Sequence, residues 1–210
     1  MSNYNNYFNT IQNVEIDESV IQSALFAGEL NAPSVHIGPF AGDNNQGQNA
    51  VAIGDRAGQY SQGVNSVAIG LVAGQYTQGE NSVAIGTSAG FSGQQASAVA
   101  IGEASGEYSQ GLQAIAIGYT TGRYSQGPGA VAIGASAGQT NQGTNSIAIG
   151  DKASATGANA ISLNATGLVI ANAGFTGGFF ATPVRALAGL AANALWYNTS
   201  TGEICHGTLA

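Results

Sequence analysis

The chain has 210 residues and a formal net charge of −7, with 7% charged residues against about a quarter in an ordinary soluble domain. Four basic residues, Arg56, Arg123, Lys152 and Arg185, are too few to track a phosphate backbone, which argues against a nucleic-acid partner. The 32 glycines accompany a regular Val/Ile pattern and a single cysteine, which excludes a disordered polar chain and an intrachain disulfide scaffold.

Residues 1–33 carry no repeat. The start, Met1-Ser2-Asn3-Tyr4-Asn5-Asn6-Tyr7, has neither a basic nor an apolar region, so no signal peptide is expected. No stretch approaches the roughly 20 apolar residues of a membrane span, so membrane insertion is not expected either. Asp17-Glu18-Ser19 is placed to open a short helix over about 19–28, whereas Val14-Glu15-Ile16 alternates as a strand would.

From residue 34 the chain becomes periodic. Val-Ala-Ile-Gly or a close variant begins at Val35, Val51, Val67, Val83, Val99, Ile115, Val131 and Ile147, and a final step of 14 residues leads to Ile161. A fixed period of 16 residues is the signature of a solenoid, in which each coil buries its face against its neighbours. The expected fold is all-β, with one short strand at each Val-Ala-Ile and corners at the glycines. Residues 34–166 form this repeat domain, and residues 1–33 are expected to cap its first coil or to attach it to a larger particle such as a capsid or tail.

Within a coil the positions sort into columns. Gln46, Gln62, Gln78, Gln94, Gln110, Gln126 and Gln142 recur without a break, and stacking at about 4.8 Å would let their amides bond as a structural ladder. Tyr60, Tyr76, Tyr108 and Tyr124 share a looser column with Asn44, Ser92 and Thr140, which suits either rings stacked on one another to shield the turn or surface contact with a host glycan or protein. The strands alternate Val and Ile with Ala52, Ala68, Ala84, Ala100, Ala116, Ala132 and Ala148. An all-alanine face lets a second surface approach closely, so these alanines are expected to face partner chains. Burying Val and Ile yields about 1.5–3 kcal/mol each, while ordering each residue costs about 1–2 kcal/mol. A lone roll is therefore under-cored, and an obligate oligomer is expected.

These residues resemble the YadA-type head repeat of trimeric autotransporter adhesins. Ser66-Val67-Ala68-Ile69-Gly70, Ser82-Val83-Ala84-Ile85-Gly86 and Ser146-Ile147-Ala148-Ile149-Gly150 carry the resemblance, and the last unit has the family's 14-residue spacing. The resemblance implies a left-handed parallel β-roll wound as a homotrimer. The other coils are two residues longer, with enlarged turns such as Gln59-Tyr60-Ser61-Gln62-Gly63. In this they are more like the β-roll fibre proteins of large DNA viruses and phages.

Residues 167–210 shift in composition. Leu195-Trp196-Tyr197 and Glu203-Ile204-Cys205-His206 flank a polar link and read as a β-hairpin. With Phe175, Phe179 and Phe180, the Trp196 and Tyr197 rings are expected to build a compact tip that helps trimerisation. The segment from Gly178 to Ile204 also resembles the tail of viral fibre proteins.

No catalytic or metal constellation is apparent. Cys205 and His206 are neighbours that a strand would point to opposite faces, and His36 is remote in sequence. No enzyme activity and no cofactor are expected. The leading expectation is a structural fibre or spike on a virion surface or otherwise extracellular. The alternatives are the head module of a bacterial surface adhesin and, with less support, an ice- or crystal-binding solenoid.

Overall fold

The computed structural model describes residues 34–164, together with the backbone of the strands Phe179–Thr182, Asn193–Asn198 and Glu203–Thr208. The expected N-terminal cap and the packing of the C-terminal aromatic rings lie outside the described residues. Among the described residues there is no helix, and the chain winds as a parallel β-solenoid of 16-residue coils.

Each of the first seven coils contributes one strand to each of two parallel sheets. The Val-Ala-Ile strands, from Val35–Ile37 to Ile147–Ile149, continue through Ile161–Asn164 and Phe179–Thr182 into a sheet of 10 strands. The second sheet has 7 strands, from Asn44–Gln46 to Thr140–Gln142. Strand order follows chain order throughout, and the register is the sequence period itself: Val67 pairs with Val83, Ala68 with Ala84, Ile69 with Ile85. Asn193–Asn198 and Glu203–Thr208 pair antiparallel in a separate two-stranded sheet.

The interior differs from the expected one. Ala52, Ala68, Ala84, Ala100, Ala116, Ala132 and Ala148 are each 0% exposed within the single chain, while the Val and Ile on either side of them point outward. The alanines therefore line the inside of the roll and do not face a neighbouring chain. The physical reason is space. A coil of 16 residues closes on itself so tightly that the gap between its sheets admits a methyl group but not a branched side chain. Ala57, Ala73, Ala89, Ala137 and Ala153 complete the lining from the second corner.

Tight closure also dictates the backbone. The coil from Gly54 holds five left-handed residues: Gly54, Arg56, Gly58, Ser61 and Asn65. Gly86 shows why one corner must be glycine. Its φ is +126°, and a Cβ there would meet the Gly102 carbonyl of the next coil at 2.6 Å. Several other left-handed positions accept Ser, Asn, Thr or Arg, and even Val72, whose φ of 51° is costly for a β-branched side chain.

Candidate functional site

Three side-chain columns could carry function, and the sheets place each differently. The glutamines are internal. Gln62, Gln78, Gln94, Gln110, Gln126 and Gln142 are at most 3% exposed. Each turns from its own sheet across the core, so that its Nε2 donates to the Val or Ile carbonyl that opens the opposite strand. Gln78 reaches Val67 O at 2.7 Å and Gln110 reaches Val99 O at 2.7 Å. Gln46, in the first coil, makes the same bond to Val35 O at 3.4 Å.

The column is thus a set of braces across the roll. Amide-to-amide links join Gln46 to Gln62, Gln94 to Gln110 and Gln126 to Gln142, in pairs and not as one continuous ladder. A Cβ at Gly106 would meet Gln110 Oε1 at 2.5 Å, so the second glycine corner leaves room for the amide. Because Gln110 Nε2 also donates to Ala114 O at 3.0 Å, Gln110→Ala removes two buried hydrogen bonds. It should lower stability by about 1–3 kcal/mol in chemical denaturation. An unchanged midpoint would show that water replaces the amide.

The tyrosines stand on the outer surface of the 7-stranded sheet, 38–41% exposed. Tyr60 stacks on Tyr76 with ring centroids 5.3 Å apart, and Tyr108 stacks on Tyr124 at 5.6 Å. Ser92 interrupts the column, but Phe91 fills the gap. Its ring meets Tyr76 edge-on at 5.2 Å and Tyr108 at 5.8 Å. Five coils therefore present one continuous aromatic ladder. Column reading missed Phe91 because the ring sits one residue out of phase.

Beside the ladder, charge enters as a pair. Arg123 Nε donates to Glu107 Oε2, and the guanidinium lies 4.9 Å from the centre of the Tyr124 ring. The hydrogen bond to Glu107 holds the Arg123 pKa above its ordinary value. Desolvation, then the Glu107 carboxylate, push the Tyr108 phenol upward, so it remains a neutral hydroxyl at ordinary pH. At a further corner Asn49 Nδ2 donates to Asn65 Oδ1 at 3.1 Å, and Asn65 Nδ2 to Asn81 Oδ1 at 3.2 Å. These exposed amides tie successive turns together.

The remaining column is the outer face of the 10-stranded sheet. Val35, Val51, Val67, Val83, Val99, Ile115, Val131 and Ile147 are half-buried, and Ile37, Ile101, Ile117, Ile133 and Ile149 are 36–48% exposed. An unbroken rank of β-branched side chains at the surface was not anticipated from the sequence. The available signal was the alanine column, since a position held small in nearly every coil marks the place with least room. His36 is the exception, in the first coil, where its Nε2 lies 3.0 Å from Ser34 Oγ.

Sequential parallel pairing, a methyl-lined interior and internal amide braces define a β-solenoid repeat protein. Two copies of the YadA head domain repeat match the chain, over residues 77–89 and 142–163. The second copy takes in the 14-residue step to Ile161, where the spacing is the family's own. These repeats and the parallel solenoid fit a YadA-type β-roll repeat protein. No curated protein and no solved structure matches it.

Proposed function

We propose that the chain is a non-enzymatic attachment or display module of the adhesin-head kind, working outside the cell as a homotrimer. The observation that carries this is the rank of half-exposed Val and Ile along one sheet. Contiguous apolar surface of this kind is rarely left in water and marks an association face. The methyl-lined interior adds to the need, because alanine burial alone contributes little to a lone roll. The partner-facing surface is then the Val/Ile face, not the alanine column. The opposite sheet, with its tyrosines, faces outward.

The family match favours a surface adhesin head over a virion fibre. In either setting residues 1–33 serve as the docking side, and the aromatic segment from Phe175 to Trp196 as the distal end that helps assembly. Light scattering on the purified chain should give a trimer mass. Replacing Ile101 and Ile117 with Lys should split it without disturbing the roll, since both side chains point outward. A folded, stable monomer of the unaltered chain would overturn the reading. Deleting residues 1–16 should leave the trimer intact and abolish incorporation into the parent particle or surface.

A further inference from the structure

We infer that the aromatic ladder Tyr60–Tyr76–Phe91–Tyr108–Tyr124 is a binding track for an extended, uncharged, β-linked polysaccharide. The surface has the two elements such a ligand needs. The exposed rims of the stacked rings offer apolar area to the C–H groups of sugar rings. Beside each tyrosine an exposed hydroxyl, Ser61, Thr77, Ser109 or Ser125, is held outward by a left-handed backbone position and can bond the sugar hydroxyls. The preorganised backbone spares the cost of ordering these groups on binding.

Period selects the shape of the ligand. Successive ring centroids lie 5.2–5.8 Å apart, one aromatic per coil. One pyranose of an extended β-linked chain advances by nearly one strand step, about 4.8 Å. Sugars over Tyr60, Tyr76, Tyr108 and Tyr124 therefore each meet a ring and a hydroxyl in the same relative position, and the sugar between the two pairs meets the Phe91 ring alone. Charge selects its type. Glu107 and Arg123, beside the ladder, are paired with each other, and the chain carries a net charge of −7, so an acidic polysaccharide finds no free cation here. A proline-rich peptide docks in grooves between aromatic rings, and rings in mutual contact leave no such groove.

The track lies on the sheet opposite the Val/Ile face, so it stays open when that face is covered. Its biological setting rests on the attachment reading; the geometry of the track does not. Calorimetric titration of the full chain with cellohexaose and chitohexaose should detect binding that strengthens from disaccharide to hexasaccharide. The Tyr76→Ala/Tyr108→Ala variant should weaken it at least about tenfold. Tyr119→Ser, an exposed ring outside the ladder, should leave it unchanged. If the double alanine variant melts under assay conditions, Tyr76→Leu/Tyr108→Leu carries the same expectation.

Binding that survives loss of both tyrosines would overturn the proposal. So would an intact assembly that takes neither oligosaccharide, or one that binds only heparin or a proline-rich peptide. A monomer that still bound the oligosaccharides would remove the trimer reading and leave the track standing.

Discussion

Replacing Ala84 and Ala100 with leucine should abolish folding of the roll itself. Both side chains are 0% exposed and sit in adjacent coils of the same cluster with Ala73 and Ala89. Overpacking a core costs about 1–3 kcal/mol per site where neighbours can shift. Here they cannot shift freely, because the lining backbone is tied by parallel hydrogen bonds to the coils on either side. The stack has no other core to fall back on, so a fault in its middle separates the two halves. Circular dichroism and light scattering decide the matter. A well-folded monomer of the double variant would mean that these alanines face an interface after all. Loss of β-signal together with loss of assembly is the expected result.

Gly86→Ala should be nearly as severe. The added Cβ meets backbone atoms of Gly102 at 2.6–2.7 Å, and the residue must also hold a φ of +126°. Backbone strain of this sort costs about 1–3 kcal/mol, and the clash with a main chain that cannot rotate away adds to it. A total of about 3 kcal/mol or more is expected in denaturant titration. A change below about 1 kcal/mol would mean that the coils can separate locally without loss of pairing.

The solenoid was legible because one number, the 16-residue period, fixes the pairing register of every coil. Val67 can pair in parallel only with Val51 and Val83 once coils stack, and that is the observed register. What alternation could not decide is which side of each strand faces in. Val-Ala-Ile alternates equally well with either face inward, and hydrophobicity alone points to the branched residues. The deciding quantity is the width of the closed coil, a property of the turns: Gly54, Arg56 and Gly58 bend the chain so sharply that opposite the glutamine braces the Val-Ala-Ile strands contribute only alanine methyls to the interior.

The same limit applies to the candidate site. The tyrosine positions and the stacking of their rings could be read from the period, but the part that Phe91 plays could not. Phe91 joins the ladder from the neighbouring position, which Gln75, Glu107 and Arg123 occupy in the coils around it. The glutamine column could be read as buried or turn-facing amides, while its main partners, the carbonyls of the opposite strand, depend on the same narrow width.

The direction of the hydrogen bonds has a mechanical consequence. In both sheets the strands lie across the stack and their bonds run along its axis from coil to coil. A pull applied between the two ends therefore loads the coil interfaces in series, each one bearing the whole force. Resistance to rupture is then set by the weakest junction and does not rise as coils are added. Sideways bending instead shares the load among many bonds. A module built this way resists lateral drag better than axial tension. Joining several rolls side by side multiplies axial strength by the number of rolls, which lengthening one roll could never do.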